Sequence, residues 1–161
     1  MPNAFVARQP WDPTRPQVLV VCCSDGRFHA PIVEFVDNQV SDRADMLAVP
    51  GGPAILDPWN SSFDEARVFE SALRLFLEHH DLRQAWLIAH ENCSYYRIKH
   101  PGLDPRALEQ RQRQDLRRGA EVLRERAARL EPQLRYARLV DGRVRFEEVE
   151  PGPSTESLVL S

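Results

Sequence analysis

Two short stretches of the sequence end in side chains that bind soft metal ions. The first, Val18–Arg27, runs Val-Leu-Val-Val-Cys-Cys-Ser-Asp-Gly-Arg, and the second, Ala85–Cys93, runs Ala-Trp-Leu-Ile-Ala-His-Glu-Asn-Cys. In each, an apolar run typical of a buried strand ends abruptly in polar residues. We predict that the two runs are neighbouring strands of one parallel sheet, so that Cys23, His90 and Cys93 meet at the carboxyl ends of the strands.

The three predicted ligands, Cys23, His90 and Cys93, form a set that zinc accepts. Two thiolates and one imidazole occur in catalytic zinc sites, where the fourth tetrahedral position stays open. Cys93 follows His90 by three residues, so that one tight turn brings both to the same ion. His29 and His100 are alternative fourth ligands, and either would close the site and make it structural.

Asp25 and Arg27 follow Cys23 at alternate positions and are predicted to flank the metal. A bidentate arginine keeps a carboxylate ionised and fixed in orientation. Such a carboxylate can accept a hydrogen bond from a zinc-bound water, whose pKa the metal lowers to about 7. Alternatively, Asp25 ligates the metal as a fourth ligand and closes the site, or the pair only stabilises the turn.

The other candidate features of the sequence are expected to be structural. Cys22 faces the opposite side of the strand from Cys23, so we expect it in the core. The absence of a Cys-x-x-Cys motif disfavours redox chemistry. The loop Pro50–Pro53, Pro-Gly-Gly-Pro, lacks the lysine and hydroxyl residue of a phosphate-binding loop, and its expected role is to bring backbone close to the metal cavity.

Hydrophobic patterns and turn signals predict the elements that hold these residues. Predicted strands cover residues 17–23, 45–49, 85–89 and 134–140, and an Asp-Gly turn at 141–142 leads to an antiparallel strand over 144–149. Predicted helices cover residues 30–40, 62–80 with a capping box from Ser62 to Glu65, and 105–131 with Pro132 as the stop. Strands that alternate with helices indicate an α/β fold with a mostly parallel sheet flanked by helices. We predict the strand order 2-1-3-4, which makes strands one and three neighbours, plus the antiparallel C-terminal strand.

Length and composition are typical of a globular protein. The 161 residues are predicted to form a single zinc-binding domain, with an irregular arm at 1–16 and a loose tail at 151–161. The formal charge of −3 gives no reason to expect a nucleic acid or membrane partner. No apolar run approaches the roughly 20 residues of a membrane span and no secretory signal is evident, so a cytoplasmic location is expected.

Together, the motifs Cys-Ser-Asp-Gly-Arg at 23–27 and His-Glu-Asn-Cys at 90–93 resemble those of the β-class carbonic anhydrases. The pattern of that family is Cys-x-Asp-x-Arg, followed by His-x-x-Cys at the end of the third strand. The resemblance implies a zinc enzyme that hydrates carbon dioxide to bicarbonate with zinc-bound hydroxide. It also implies the ligands Cys23, His90 and Cys93, an Asp25–Arg27 dyad, and a homodimer or higher oligomer with active sites at or near the subunit interface.

The chain departs from the family pattern around the expected substrate pocket. Pro50–Ala54 replaces the usual Arg-Asn-Ala-Gly-Asn, Ser94 replaces a glycine, and Ser71 replaces a tyrosine that helps to wall the pocket. Two alternatives therefore stand beside carbon dioxide hydration. One is hydrolysis of carbonyl sulfide or carbon disulfide at the same site, and the other is a non-catalytic zinc-stabilised protein that binds an anion or a partner.

Overall fold

The computed structural model describes residues 4–40, 43–57 and 62–152. In chain order its elements are β1 (Val18–Cys23), α1 (Gly26–Gln39), β2 (Ala44–Val49), a short 3-10 helix (Gly52–Leu56), α2 (Phe63–His79), β3 (Gln84–His90), α3 (Ser94–Lys99), α4 (Pro105–Arg126), β4 (Glu131–Val140) and β5 (Arg143–Glu148). Residues 1–3 of the predicted arm and 153–161 of the predicted tail lie outside the described residues.

The strands form one sheet in the order β2-β1-β3-β4-β5. The first four are parallel, and β5 pairs antiparallel with β4. The predicted α/β class, strand order and antiparallel C-terminal strand are therefore confirmed. All six residues of β1 are buried, because helices cover both faces of the sheet, which explains why this strand is a continuous apolar run.

Alternate residues of β1 contribute to two apolar cores on opposite faces of the sheet. Leu19 and Val21 pack in the cluster that includes residues of α2 and α4, whereas Val20 and Cys22 pack in the cluster that includes residues of α1. Cys22 is buried there, so the prediction that it is a core residue is confirmed.

The predicted start of α1 at residue 30 is wrong by four residues. The side chain of Asp25 accepts a hydrogen bond from the backbone N–H of Arg27 and caps the helix, which begins at Gly26. A helix that began at residue 30 would have Pro31 in its first turn, where a proline loses no hydrogen bond. Instead, Pro31 lies inside α1, so the N-terminal part of the helix must be held by its cap and by packing.

The predicted end of α4 at Pro132 is also wrong. The helix ends at Arg126, and Pro132 lies within β4, opposite Ala85 of β3. The N–H of Glu131 donates to the carbonyl of Arg83, so the nitrogen of the next residue faces away from β3. On that side the pairing with β5 begins only at Arg135, and a strand tolerates proline where no hydrogen bond is needed.

Two local predictions about turns and caps are confirmed. Ser62 and Glu65 form the capping box of α2. Asp141 and Gly142 both have positive φ, 49° and 73°, as a two-residue hairpin turn requires. No helix in the described parts of the chain is both long and apolar enough to cross a lipid bilayer.

Candidate metal centre

The structure brings the three predicted metal ligands together. Cys23 ends β1 and His90 ends β3, and because these strands are adjacent and parallel their carboxyl ends share one edge of the sheet. Cys93 follows through a tight turn in which Asn92 has a φ of 58°. The ligand atoms of the three side chains all lie within 4.8 Å of one another.

The separation of the two thiols matches a tetrahedral zinc site. The Sγ atoms of Cys23 and Cys93 are 3.9 Å apart. Two thiolates bound tetrahedrally at about 2.3 Å from Zn²⁺ would be about 3.8 Å apart. The two sulfur atoms therefore need almost no movement to share an ion.

The hydrogen bonding of His90 leaves one ring nitrogen ready for a metal. Its Nδ1 lies 2.8 Å from the carbonyl oxygen of Glu91, and because a carbonyl only accepts, Nδ1 carries the proton. Its Nε2 is buried and makes no hydrogen bond to the described residues. A buried polar atom without a partner is costly, and an acceptor nitrogen facing two thiols fits Zn²⁺.

The contact between the two thiols shifts their pKa values in opposite directions. The hydrogen bond with the Cys93 thiol lowers the pKa of Cys23, and the backbone N–H groups of Gly51 and Asp25 act in the same direction. The same contact with Cys23, together with burial, raises the pKa of Cys93. One thiolate is thus favoured before any metal arrives, and a cation such as Zn²⁺ favours the second.

Asp25 and Arg27 form a bidentate ion pair beside the cysteines. Arg27 Nη2 donates to Asp25 Oδ2 at 2.6 Å, and Arg27 Nε donates to Asp25 Oδ1 at 3.0 Å. The hydrogen bonds from Arg27 lower the pKa of Asp25 to about 2. Arg27 Nη2 also lies 3.3 Å from the carbonyl oxygen of Asn92, which ties the pair to the turn between His90 and Cys93.

The Pro50–Pro53 loop approaches the backbone of Cys23 closely, as predicted. Gly52 has a φ of +55°, and a Cβ atom there would lie 2.7 Å from the carbonyl carbon of Cys22 and 2.7 Å from the nitrogen of Cys23. Gly51, with a φ of +77°, lies under the ring of Tyr95. Only glycine fits these two positions.

One cavity borders Cys23 of the candidate metal centre, and a second cavity adjoins the first through Pro50 and Tyr95. The first, of about 360 Å³, is lined by Cys23, Ser24, Asp25, Arg27, Pro50, Ser94 and Tyr95. The second, of about 400 Å³, shares Pro50 and Tyr95 and is otherwise lined mainly by apolar residues, Leu47, Val49, Ile55, Val68, Phe69 and Ala72. Ser94, noted as a departure from the family, therefore lies in the wall of the first cavity.

Neither alternative histidine joins the candidate metal centre. Among the described residues, Cys23, His90 and Cys93 make up the group of metal-binding side chains, and His29 and His100 are not part of it. Asp25, the third alternative fourth ligand, is not part of the group either. The group therefore offers three ligand atoms, one fewer than the four of a structural zinc site.

Sequence reasoning missed two polar residues of α4 that contact the ligand-bearing segments. Gln112 donates to the backbone carbonyl of His90, and Asp115 accepts from the hydroxyl of Tyr96, three residues after Cys93. The sequence contains a signal for Gln112, which lies four residues after Leu108 and four before Leu116. At that spacing the three side chains share one face of the helix, and the leucines indicate that this face is buried.

The fold is similar to that of β-carbonic anhydrases of known structure. The β-carbonic anhydrase CafA of the fungal pathogen Aspergillus fumigatus matches with a TM-score of 0.59 at 12% identity, over 89% of this chain and 80% of that one. The Coccomyxa β-carbonic anhydrase in complex with acetazolamide matches with a TM-score of 0.57 at 15% identity, over 88% and 76% of the two chains.

A tetrameric β-carbonic anhydrase from the filamentous ascomycete Sordaria macrospora matches with a TM-score of 0.51 at 16% identity, over 81% of this chain and 80% of that one. The resemblance predicted from the two motifs is thus confirmed, and at these identities it establishes the fold. No family model matches the chain. No curated protein matches it either.

Proposed function

We propose that this chain is a zinc enzyme of the β-carbonic anhydrase type that catalyses the reversible hydration of carbon dioxide to bicarbonate. One observation carries the proposal: the His90 side chain, whose Nε2 makes no hydrogen bond to the described residues, is grouped with the thiols of Cys23 and Cys93, beside a cavity that the Asp25–Arg27 pair also lines. The similarity of the fold to β-carbonic anhydrases supports the choice of reaction.

Cys23, His90 and Cys93 are the proposed ligands of the metal. A Zn²⁺ ion held by them supplies a Lewis acid that makes a nucleophile of water near neutral pH. The hydrogen bond from His90 Nδ1 to the carbonyl of Glu91, at 2.8 Å, keeps the ring in the tautomer and orientation that aim Nε2 at the ion.

Asp25 is the proposed orienting residue, and Arg27 holds it. As an ionised carboxylate, Asp25 only accepts hydrogen bonds. It therefore accepts a hydrogen bond from the O–H group of the attacking water, which turns an oxygen lone pair towards the carbon of carbon dioxide. The two-point contact with Arg27 fixes the plane of the carboxylate. The product is bicarbonate, and the proton released from water passes to solvent buffer.

Stopped-flow measurement of carbon dioxide hydration, with zinc-loaded protein between about pH 7 and 9, tests the proposal. Asp25→Asn should abolish turnover while zinc stays bound, since asparagine caps a helix as well as aspartate does and the fold is kept. Cys22→Ala, on the other face of the sheet, is the matched control and should keep both zinc and turnover. A wild-type protein with zinc confirmed in place and no hydration activity would refute carbon dioxide hydration, and would leave the hydrolase and the non-catalytic protein as the two alternatives.

We further propose that the chain forms a homodimer or a higher homo-oligomer. Phe5 and Trp11 of the N-terminal arm are 91% and 86% exposed, although Arg43 holds the arm by donating to the carbonyl oxygen of Asp12 at 2.9 Å. Apolar side chains on an anchored arm favour burial against another chain. Val68 of α2 is also exposed. It lines the mainly apolar cavity of about 400 Å³, so it adds to the exposed apolar surface of the chain.

Light scattering tests the assembly. We expect at least twice the chain mass of 18.5 kDa, and Trp11→Ser should shift the population towards the monomer. A monodisperse monomer at all concentrations would contradict the proposal.

We also propose a cytoplasmic location, which suits three cysteines that are free thiols in the structure.

A further inference from the structure

Two polar side chains of α4 are buried near the metal centre and have no role in the proposed reaction. Gln112 and Asp115 are each 3% exposed. Being three residues apart, they lie on the same face of the 22-residue helix. Buried polar groups are almost always hydrogen-bonded, and their partners reveal what they hold in place.

Gln112 is attached to the end of the strand that carries His90. Its Nε2 donates to the carbonyl oxygen of His90 at 2.8 Å. Its Oε1 accepts from the hydroxyl of Tyr136 in β4 at 3.3 Å. The amide therefore links α4, the last residue of β3 and the neighbouring strand β4 through one side chain.

Asp115 is attached to the helix that follows Cys93. Its Oδ2 accepts from the hydroxyl of Tyr96 at 2.7 Å, and its Oδ1 accepts from Arg111 Nε at 3.0 Å. Tyr96 belongs to α3, which has only six residues. A helix this short is not stable alone, so the position of Cys93 at its N-terminal end depends on what α3 contacts.

α4 is itself fixed to the sheet and to the segment next to Cys23. Leu116, Ala120 and Leu123 pack into the main core. A Cβ atom on Gly119 would lie 3.1 Å from Leu56, in the 3-10 helix that directly follows the loop against the Cys23 backbone. The same helix therefore touches the segments on which all three predicted ligands depend.

We propose that Gln112 and Asp115 are positioning residues of the metal centre, which fix His90 and Cys93 relative to Cys23 through the His90 carbonyl and the Tyr96 hydroxyl. The inference rests on the proposed zinc site and adds to it a preorganising contact from α4. Loss of the Gln112 and Asp115 contacts keeps all three proposed ligands but widens the range of positions that their side chains sample. The expected result is weaker and less regular metal coordination.

Gln112→Leu and Tyr96→Phe test this role, because each removes one of the contacts and little volume. The dissociation constant for Zn²⁺, measured by competition with a chromophoric chelator, should rise about 10- to 100-fold in Gln112→Leu and about 10-fold in Tyr96→Phe. The absorption spectrum of the cobalt(II)-loaded variants should show weaker bands in the visible region, as the geometry departs from tetrahedral.

Leu123→Val is the matched control, since Leu123 lies about three turns beyond Gln112 along α4, in the apolar core. It should lower the free energy of unfolding without changing zinc affinity or the cobalt spectrum. Unchanged affinity in both test variants would overturn the inference, and so would an equal loss in Leu123→Val. Should Gln112→Leu fail to fold, Tyr96→Phe decides alone.

The wild-type protein separates this inference from the proposed reaction. Zinc binding without carbon dioxide hydration refutes the reaction and leaves the positioning role to be decided by the variants. Zinc binding and hydration that are both unaffected by the substitutions refute the positioning role alone. A wild-type protein that binds no zinc overturns both.

Discussion

Gly52 shows how little room remains around Cys23. Its φ of +55° lies in the left-handed region, and the atoms nearest to an added Cβ belong to the peptide between Cys22 and Cys23. Backbone atoms of a buried strand cannot move aside as a long side chain can. Gly142 provides a contrast, because its φ of +73° is similar but no atom lies within 4 Å of an added Cβ.

Gly52→Ala is therefore expected to be far more damaging than Gly142→Ala. The change at Gly142 should cost only backbone strain, about 1 kcal/mol, and leave zinc affinity unchanged. The change at Gly52 adds a clash, so we expect about 3 kcal/mol or more, together with weaker zinc binding as Cys23 moves. Urea unfolding and chelator competition measure the two effects, and equal losses in the two variants would contradict this account.

At the scale of residues, the sequence was sufficient to predict that Cys23, His90 and Cys93 lie together, but not to predict which residues support them. Cys23, His90 and Cys93 were predictable because soft ligands directly follow two apolar runs that form parallel strands. The contact of Gln112 with the carbonyl of His90 was not, because any donor on the buried face of α4 serves a backbone oxygen. Such a contact depends on how the helix packs across the sheet, which no local pattern specifies.

At the scale of elements, an ion-pair network joins α4 to the β4–β5 hairpin. Glu147 of β5 accepts from Arg145, Arg138 and Arg113 at 2.8, 2.9 and 2.8 Å. Glu109 of α4 accepts from Arg113 at 2.9 Å and also contacts Arg138. Networks contribute more than isolated surface pairs because each charge serves several partners, so this one should help to keep the antiparallel edge strand against the helix.

The network predicts an acid-sensitive contribution to stability. Hydrogen bonds from Arg145, Arg138 and Arg113 lower the pKa of Glu147 from 4.5 to about 2. Since the folded-state pKa is the lower one, the stabilisation is complete above about pH 4.5 and is lost as the pH falls towards 2. Glu147→Gln should therefore be less stable than wild type at pH 6, with a difference that shrinks at pH 3.

Urea unfolding at pH 6, 4 and 3 measures the difference in the free energy of unfolding between wild type and Glu147→Gln. The titration of the other acidic residues contributes equally to both proteins and cancels in this difference. A constant difference across this range would show that Glu147 acts through packing rather than through charge.

The order of the elements was predictable, but the start of α1, the end of α4 and the start of β4 were not. Alternating strand and helix patterns were enough for the parallel sheet, and the Asp141–Gly142 turn was enough for the final hairpin. The 2-1-3-4 order, which alternation alone does not determine, was predicted from the need for strands one and three to be neighbours. Asp25 was read as a flank of the metal, and its second role as the cap of α1 was missed because one carboxylate serves both purposes. Pro132 was read as a helix stop, since the local sequence does not reveal that β5 pairs only later along β4.

At the scale of the whole molecule, the proposed metal joins parts of the chain that are distant in sequence. Cys23 and Cys93 are 70 residues apart. Cys23 is the last residue of β1, whereas Cys93 directly precedes α3. An ion that binds only the folded arrangement stabilises it by mass action. The metal should therefore act on the stability of the entire sheet rather than on one loop.

Removal of zinc should lower the thermal midpoint of the protein. With free zinc about 1,000-fold above its dissociation constant, the expected stabilisation is about 4 kcal/mol, or roughly 10 °C for a chain of this size. Differential scanning calorimetry with and without a chelator measures it, and added zinc should restore the midpoint. His90→Ala should show no response to either treatment, and a response equal to that of wild type would place the stabilising ion elsewhere.

The distance between the ligands along the chain also has a consequence for biosynthesis. A ribosome makes β1, with Cys23, long before it makes β3, and the supporting contacts of Gln112 and Asp115 come later still. A nascent chain that exposes only the first cysteine pair has no histidine partner and no supporting helix. The proposed metal site is therefore complete only after Cys93 has left the exit tunnel, and the supporting contacts from α4 form only after Asp115 has followed.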